Sequence, residues 1–322
     1  MKTNTRIFVA GHNGMLGGAI LKILKENTKN KIYTKNKKHL NLLEQSNVNS
    51  FFKKNKFDQV YLCAARVGGI MANKNNPATF IYENLTMQTN IIHGSYLSKV
   101  KKLLFIGSTC VYPKQAKQPL KEEFLLSSYL EESNEPYAIS KIAGIKMCES
   151  YNRQYNTDFR SVMPPNMYGI GDSFDPKKSH VISGLIRKFY VAKIKKRKSV
   201  KLWGTGKPIR EFLYVDDAAS ICIKIMNARK SAITKVTEPQ MSHINIGTGK
   251  GISIKKLAIL ISNIVGYKGK ILFDRKYPDG HPKKVACIDK QKKIISNSII
   301  DFRTGIKKTY EFFLLGNASK HK

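Results

Sequence analysis

The stretch RIFVAGHNGMLG, residues 6–17, decides how this chain folds. Its first five residues are typical of a short buried strand, and the apolar pattern from Met15 to Glu26 predicts a helix. Glycine in the GxxGxxG pattern between them permits a tight turn, lets the backbone approach a pyrophosphate and packs helix against strand. The stretch therefore predicts a dinucleotide site at the first strand-to-helix turn. Its residues are Gly11, His12, Asn13, Gly14, Met15, Leu16 and Gly17.

Strand and helix patterns alternate along the chain that follows. We predict further strands at 32–34, 57–65, 102–106, 160–169 and 243–247, and further helices at 48–54, 77–98, 213–226 and 252–265. Such alternation is typical of a parallel sheet with helices on both faces. The predicted fold class is therefore α/β, a Rossmann-type doubly wound parallel sheet with a smaller α/β substrate-binding domain. We expect residues 1–168 and about 208–247 to form the dinucleotide-binding domain, and about 169–207 and 248–322 the other.

The composition limits the functions open to the protein. The 322 residues include 57 Lys and Arg against 22 Asp and Glu, a net charge of +35. These cations are mostly lysines spread along the chain, which indicates solvated surfaces rather than the arginine forks of base recognition. No apolar run is long enough to span a membrane, and the N-terminus lacks a signal-peptide core. The five cysteines are scattered without a CxxC pair, which argues against disulfides and zinc. We expect a cytoplasmic protein with no metal, membrane or nucleic-acid partner.

The residues after the second predicted strand bear on the choice of dinucleotide. An acidic residue at that place binds the ribose 2′-hydroxyl of NAD. This chain has KNKK at 35–38 instead, and cations suit the 2′-phosphate of NADPH. We therefore predict NADPH/NADP, with Lys35 and Lys37 at the phosphate and Leu40 and Asn41 at the adenine. The alternative is that these lysines are further solvated charges.

A tyrosine and a lysine four residues apart, Tyr137 and Lys141, lie on one face of a predicted helix. Asn134 and Pro136 precede them, as an N-cap and a first-turn proline do. A nearby ammonium group favours the phenolate and so lowers the pKa of the phenol, which makes a proton donor for carbonyl reduction. A surface tyrosine and a solvated lysine are the alternative. Ser108, just after the strand at 102–106, strengthens the first interpretation because ligands bind at the carboxyl ends of parallel strands.

Several runs together carry a resemblance that extends from about residue 6 to Asp279. They are VAGH with GM (9–12 and 14–15), AARVGGI (64–70), GSTCVYP (107–113), NEPYA with KIAG (134–138 and 141–144), ESYNRQY (149–155), SHVI (179–182), WGTG (203–206) and REFLYVDD (210–217). The chain resembles the extended short-chain dehydrogenase/reductase family of nucleotide-sugar enzymes. Within that family it is similar to the GDP-4-keto-6-deoxy-D-mannose 3,5-epimerase-4-reductases.

The resemblance implies a role for each matching residue. It places the catalytic groups at Ser108, Cys110, Tyr137, Lys141 and His180. It places further cofactor contacts at Ala64, Ala65, Ile106, Gly107, Ser108, Tyr137, Lys141, Pro164, Asn166, Met167 and His180. It places the substrate contacts at Ser108, Cys110, Tyr137, Asn166, His180, Lys188, Trp203, Arg210, Lys270 and Asp279. Lys188 and Lys270 stand where the family has other basic residues, and Pro165 stands where threonine is more usual.

Cys110 and His180 decide the type of reaction that the resemblance implies. Cys110 occupies the place where the sugar-nucleotide dehydratases of this fold have Asp-Glu after the serine and threonine. A thiolate can remove a proton from a carbon acid, although an isolated cysteine is more often a small buried apolar residue. An isolated histidine is likewise more often structural or solvated. The resemblance assigns the two to opposite faces of the sugar as base and acid.

The expected function is NADPH-dependent 3,5-epimerisation and 4-keto reduction of GDP-4-keto-6-deoxy-D-mannose to GDP-L-fucose. A homodimer is implied, through the helix at 77–98 and the helix that contains Glu149. Two alternatives stay open: another nucleotide-sugar epimerase or reductase of the same superfamily, such as a 4-epimerase with tightly held NAD, and a non-catalytic binding protein with a dinucleotide fold. A 4-epimerase would recycle its bound NAD, whereas the expected function consumes NADPH in proportion to product. Salt-dependent DNA binding would support the non-catalytic binding protein.

Overall fold

Strands and helices alternate through the computed structural model, which describes residues 4–176, 179–277, 279–296 and 298–318. The strands are β1 (Arg6–Ala10), β2 (Lys31–Tyr33), β3 (Gln59–Leu62), β4 (Lys102–Ile106), β5 (Phe159–Met163), β6 (Asn166–Tyr168), β7 (Ser199–Trp203), β8 (Ile209–Tyr214), β9 (Ile244–Asn245), β10 (Gly251–Ser253), β11 (Lys270–Asp274) and β12 (Lys283–Lys284). The helices are α1 (Met15–Glu26), α2 (Gln45–Asn55), α3 (Ile70–Asn75), α4 (Pro77–Leu97), α5 (Glu135–Tyr155), α6 (Val181–Ile194), α7 (Val215–Asn227), α8 (Lys230–Thr234), α9 (Ile254–Val265), α10 (Asp289–Ile294) and α11 (Phe302–Ala318).

The central sheet has six parallel strands in the order β2-β1-β3-β4-β5-β9. Successive side chains of β1 enter different cores. Ile7 and Val9 pack in the layer under α1 and α7, whereas Phe8 and Ala10 pack in the layer under α2, α4 and α5. This period of two buries both faces of the sheet, as a parallel sheet requires. The predicted Rossmann-type doubly wound sheet is confirmed.

A second group of strands follows the central sheet. β8 pairs with β6, β10 and β12, and β7 pairs separately with β11. Their apolar side chains share a third core with α6, α9 and α11. Of the residues expected to contact a substrate, Trp203 ends β7, Arg210 lies in β8 and Lys270 begins β11. The ends of the predicted domains, 1–3 and 319–322, lie outside the described residues.

The strand predicted at 160–169 is wrong, because it is two strands in different sheets. β5 belongs to the central sheet, while β6 pairs with β8. Pro164 and Pro165 separate them, and a proline cannot donate to a strand ladder because it lacks the N–H group. The chain therefore leaves the central sheet at this point and enters the second group of strands.

Two predicted helices begin later than expected because strands occupy their first residues. Leu213 and Tyr214 end β8, so α7 starts at Val215. Ile252 lies in β10, and α9 starts at Ile254 after Ser253, whose hydroxyl accepts a hydrogen bond from the N–H of Lys256. The predicted bounds of α1 and β4 are confirmed, and α4 ends one residue before the prediction. No helix in the described ranges has the length and apolar character needed to cross a bilayer.

Candidate active site

Ser108 and Tyr137 meet at the carboxyl end of β4. Ser108 follows that strand, and its hydroxyl accepts a hydrogen bond from the N–H of Cys110 at 3.2 Å, which starts a short 3-10 turn. Tyr137 lies in the first turn of α5 and is hydrogen-bonded to the Ser108 side chain. Gly107 lets the end of β4 pack closely against β5, because a Cβ atom there would come within 2.4 Å of the Met163 sulfur. The two hydroxyl groups predicted to hold a carbonyl oxygen are therefore adjacent.

Lys141 lies one helical turn after Tyr137 and is almost fully buried. Its ammonium group donates to the carbonyl of Ile106 at 2.9 Å and lies 5.8 Å from the centre of the Tyr137 ring. Burial lowers the pKa of Lys141 to about 8, opposed by the nearby Cys63 thiol. The expected lowering of the phenol pKa is not found. Burial raises the pKa of Tyr137, the charge of Cys110 raises it further, and the hydrogen bond from Ser108 opposes both.

The predicted cap of α5 is correct only in part. The helix begins at Glu135 with Pro136 in its first turn, as expected. Asn134 occupies the N-cap position, but its side chain makes no capping hydrogen bond. Proline at the first turn costs nothing because the N–H it lacks has no partner inside the helix. Pro136 therefore sets the start of the helix that carries Tyr137 and Lys141.

Cys110 is a half-buried free thiol in the turn that Ser108 begins. Its charge perturbs the pKa of both Tyr137 and Arg210, so the fold brings Cys110 close to a catalytic and a substrate-binding candidate. Thr109 beside it is buried and donates its N–H to the carbonyl of Pro164 at 3.1 Å. That hydrogen bond fixes the turn against the segment that leads to Asn166 and Met167. The thiol is thus held at the edge of the sheet where a substrate is expected.

His180 occupies the N-cap position of α6, and its contacts include a residue that sequence reasoning missed. The Nδ1 atom of His180 lies 3.0 Å from the carboxylate Oδ1 of Asp172. This hydrogen bond raises the pKa of His180, and desolvation opposes it. The hydrogen-bond partner found for the ring in the described residues is thus Asp172, and neither Cys110 nor Tyr137 is among its partners. An acidic residue after two glycines and eight positions before a histidine gives no distinctive sequence signal.

The glycine-rich turn forms a cradle that fits a dinucleotide. Gly11 has φ +85°, and a Cβ atom there would come within 2.6 Å of the Ala64 amide nitrogen. A Cβ atom at Gly17 would come within 2.2 Å of the Gly11 carbonyl oxygen. Gly14 precedes α1 without a side-chain cap, so the first N–H groups of this helix stay available to an anion. The Nδ1 atom of His12 is buried with no partner among the described residues, which a bound cofactor could supply.

Other predicted cofactor residues surround this cradle. Ala64 and Ala65 follow β3 at the same edge of the sheet. Lys35 and Lys37 are exposed directly after β2, the strand beside β1. Leu40 is buried in the core layer with Phe52, so its side chain packs in the hydrophobic core. Cations without a nearby acid after β2 suit a 2′-phosphate, and the residues present therefore fit NADPH.

Two buried asparagines shape the loop after β3, and sequence reasoning missed both. The Asn84 amide accepts from the Arg66 N–H at 2.8 Å and donates to the carbonyls of Arg66 and Phe80. Asn73 donates to the carbonyls of Gly68 and Gly69. These side chains replace the partners that a strand would supply to the loop. The segment from Arg66 to Gly69, which reads as a flexible glycine loop in the sequence, is tied to two helices.

The substrate candidates on the second group of strands divide into two sets. Trp203 ends β7, is 67% exposed and stacks on Tyr277 at 4.7 Å between ring centres. The Asp279 carboxylate accepts a hydrogen bond from the Thr205 N–H at 2.8 Å. Burial lowers the pKa of Arg210, and the charges of Asp279 and Cys110 oppose that effect. These residues surround one region beside Cys110.

Lys188 and Lys270 lie differently. The Lys188 ammonium donates to the carbonyl of Lys201 at 2.6 Å, two residues before Trp203. Lys270 pairs with Ser199 at the start of the β7–β11 ladder, whereas Trp203 pairs with Asp274 at its end. At about 3.3 Å per residue the two ends are about 13 Å apart. The structure therefore does not bring Lys270 together with Trp203.

A carbonyl oxygen placed between Ser108 and Tyr137, beside a dinucleotide on the glycine cradle, can accept a proton as hydride arrives. Fold and site thus define a dinucleotide-dependent enzyme that oxidises, reduces or epimerises a carbonyl-containing substrate. The chain belongs to the NAD dependent epimerase/dehydratase family, whose model matches residues 7–247.

The relatives narrow this class. The chain is 48% identical to the GDP-L-fucose synthase of Escherichia coli (strain K12) over 96% of each chain. A GDP-6-OMe-4-keto-L-xylo-heptose reductase from C. jejuni superposes with a TM-score of 0.93 at 38% identity, covering 98% of this chain and 99% of that one. A GDP-L-fucose synthetase from Naegleria fowleri bound to NADP superposes with a TM-score of 0.87 at 27% identity, covering 99% and 97%.

Proposed function

We propose that this protein carries out the GDP-L-fucose synthase reaction. It epimerises C3 and C5 of GDP-4-dehydro-6-deoxy-D-mannose and reduces the 4-keto group with NADPH, which gives GDP-L-fucose. The observation that carries the proposal is the cluster at the end of β4, where Ser108 bonds both Tyr137 and the Cys110 backbone. Epimerisation beside a ketone requires a site for the carbonyl oxygen with a base close to it, and both lie in the turn after β4. The similarity to the Escherichia coli enzyme supports the same substrate.

Epimerisation uses residues of this chain alone. The protons on C3 and C5 are acidic because both carbons flank the C4 ketone. Cys110 removes one such proton as a thiolate, and the hydroxyls of Ser108 and Tyr137 hold the resulting enolate oxygen. His180 then returns a proton to the opposite face of the sugar ring. Inversion needs groups on both faces, and these two residues come from different elements, the turn after β4 and the start of α6.

Reduction uses the same oxygen site. NADPH, when bound on the cradle, supplies the hydride that C4 receives. Tyr137 donates its phenolic proton to the C4 oxygen, because a phenol with a raised pKa is protonated at neutral pH. Lys141 holds the nicotinamide ribose and brings a positive charge near the phenolate that remains. Its ammonium group is already fixed by the Ile106 carbonyl at 2.9 Å, so little reorganisation is needed.

The test is a coupled assay with purified protein, NADPH and GDP-4-dehydro-6-deoxy-D-mannose. Loss of nicotinamide absorbance is followed, and the sugar product is identified. We expect one NADPH consumed for each GDP-L-fucose formed, and loss of reduction in Tyr137→Phe. An unepimerised 6-deoxy product would keep the reductase role and remove that of Cys110 and His180. Undiminished reduction in Tyr137→Phe would contradict its role as proton donor.

A second candidate is reduction of a related GDP-4-keto sugar that carries a larger C5 substituent. The TM-score of 0.93 to the C. jejuni heptose reductase favours it. The same assay with a GDP-4-keto-heptose decides between the two by comparison of kcat/KM. A preference for the heptose would move the proposal to that substrate without changing the roles of Ser108, Tyr137 and Lys141.

Three further expectations belong to this proposal. The dinucleotide-binding domain comprises residues 1–168 and about 208–247, and substrate binds between it and the remaining segments. Two copies associate through α4 and α5, which pack against each other in one copy and expose Tyr82 and Tyr155. We expect the enzyme to work in the cytoplasm. Light scattering of the purified protein tests the dimer.

A further inference from the structure

Asp172 is a buried acid for which the proposed reaction has no direct use. Its side chain is 2% exposed. The Oδ1 atom accepts the Ser173 N–H at 2.8 Å and faces His180 Nδ1 at 3.0 Å. The Oδ2 atom is buried without a partner among the described residues. An unpaired carboxylate oxygen out of water costs free energy, so a purely structural residue here would be better neutral.

The loop that carries Asp172 is fixed on both sides. Gly169 and Gly171 adopt φ values of +139° and +88°, and the Asp172 N–H returns to the Gly169 carbonyl at 3.3 Å. A Cβ atom at Gly171 would lie 3.4 Å from the Cα of Met15, the first residue of α1. The loop thus packs beside the dinucleotide cradle. It delivers the carboxylate between that cradle and the start of α6.

We infer that Asp172 is the positioning residue for His180, an inference that rests on the proposed function. The His180 backbone is anchored by α6, where its carbonyl accepts the Gly184 N–H at 2.8 Å. The Asp172 carboxylate accepts a hydrogen bond from Nδ1–H and so fixes both the ring orientation and the tautomer. Nε2 is then the nitrogen that faces the sugar.

The arrangement lets His180 give one proton and keep another. In the imidazolium form, Nε2–H donates its proton to the enolate carbon. The electron pair of the C=C bond forms the new C–H bond, and the C4 carbonyl is restored. The Nε2 atom keeps the N–H electron pair, and the neutral ring retains Nδ1–H on Asp172. The carboxylate stabilises the imidazolium before transfer.

The test compares Asp172→Asn with the wild type in two independent readouts. The first is product analysis: we expect epimerisation to slow by about 10- to 100-fold, while NADPH oxidation continues and an unepimerised sugar accumulates. The second is nitrogen NMR of the histidines, with the His180 signals assigned by their loss in His180→Asn. We expect protonated Nδ1 in the wild type and a different tautomer balance in Asp172→Asn. Asp175→Asn, an exposed acid of the same loop, is the matched control.

The two readouts separate the possible failures. An unchanged Nδ1 signal in Asp172→Asn, or epimerisation at the wild-type rate, overturns the positioning role. A wild type that binds NADPH but never epimerises overturns the proposed function alone, because the NMR result still decides whether Asp172 sets the tautomer. If Asp172→Asn fails to fold, Asp172→Glu serves instead. Its longer side chain keeps the charge but moves the carboxylate oxygens. If Asp172 positions His180, the Nδ1 signal of His180 and the rate of epimerisation should either both be kept or both be lost, and a change in only one of them overturns the positioning role.

Discussion

Lys141 is an ammonium group held almost entirely out of water beside the Tyr137 ring. It is 3% exposed, its nearest neighbours include the rings of Phe105 and Tyr137, and one carbonyl accepts its hydrogen bond. Burial lowers its pKa to about 8 from an ordinary value of 10.5. The folded protein therefore binds this proton more weakly than the unfolded chain does. Between pH 8 and 10.5 the unfolded state holds more protons, so stability from this group rises with pH.

Replacing this cation should stabilise the fold while abolishing reduction. We expect Lys141→Met to raise the free energy of unfolding by about 1–3 kcal/mol at pH 7, because a shift of one pKa unit corresponds to about 1.4 kcal/mol. The gain should shrink as pH rises above 8, where the native lysine is already neutral. Urea unfolding of the wild type and of Lys141→Met at pH 7 and at pH 9.5 measures the gain in the free energy of unfolding at each pH. Lys256→Met, at an exposed site on α9, should change neither, and an equal gain there would contradict the burial argument.

A substitution at Cys110 should separate epimerisation from reduction. We expect Cys110→Ser to lower the rate of epimerisation by at least about 100-fold, because an alkoxide is far harder to form than a thiolate near neutral pH. Reduction should persist, since Ser108, Tyr137 and Lys141 are unchanged. Incorporation of solvent deuterium at C3 and C5 measures epimerisation directly. Cys287→Ser, at a half-buried thiol bonded to Asp289, is the control. Normal deuterium incorporation in Cys110→Ser would remove the thiol from the mechanism.

At the scale of elements, the apolar periodicity and the placement of glycines predicted the central sheet. The elements that were predicted wrongly are those whose structure depends on pairing with distant strands. The bounds of α1 and β4 follow from local patterns that tertiary contacts reinforce. The single strand predicted at 160–169 failed because the double proline moves the chain from one sheet to another. The helix predicted at 252–265 included Ile252 and Ser253, which belong to a strand only because they pair with β8. The proximity of Ser108, Tyr137 and Lys141 was predictable from their spacing, whereas Asp172 and Asn84 act through contacts that no spacing encodes.

The Asn84 amide illustrates how one side chain on α4 can fix a loop of the site. We expect Asn84→Ala to lower the free energy of unfolding by about 2–3 kcal/mol, since three hydrogen bonds are lost and the Arg66 backbone groups lose their partners. The KM for NADPH should also rise, because Ala64 and Ala65 precede that segment. Thermal unfolding and initial rates measure the two effects. Thr89→Ala, at an exposed site on the same helix, should stay within about 0.5 kcal/mol.

At the scale of the whole molecule, the net charge of +35 opposes compactness. The seven ion pairs of lysine or arginine with a carboxylate found in the described residues leave most lysines without a carboxylate partner, including the exposed lysines at 35–38. Salt screens such repulsion over about 10 Å at 0.1 M. We expect an increase in sodium chloride from about 0.02 to 0.3 M to raise Tm by about 2–5 °C. Glycerol of equal osmolality is the control, and a Tm that falls with salt would show that attractive pairs dominate.

The fluorescence of the single tryptophan, Trp203, offers a measure of substrate binding. Trp203 is the only tryptophan among the 322 residues, so protein indole fluorescence comes from the β7 end beside Arg210 and Asp279. Because this ring is 67% exposed, a nucleobase that stacks on it should quench its emission and shift it to shorter wavelength. We expect saturable quenching by GDP, with an apparent Kd that rises with salt because cations attract the diphosphate.

Two comparisons decide whether that signal reports the proposed site. Arg210→Met should weaken GDP binding by about 10- to 100-fold while leaving the unliganded emission unchanged, because a hydrogen-bonded charge contributes about 1.5–3 kcal/mol. Tyr277→Ala should change the unliganded emission, since it removes the ring stacked on Trp203 at 4.7 Å. UDP tests the base, because a smaller pyrimidine offers less surface to the indole. If GDP left the emission of Trp203 unchanged while NADPH oxidation proceeded, the nucleotide would have to bind elsewhere, and the end of β7 would lose its place in the substrate site.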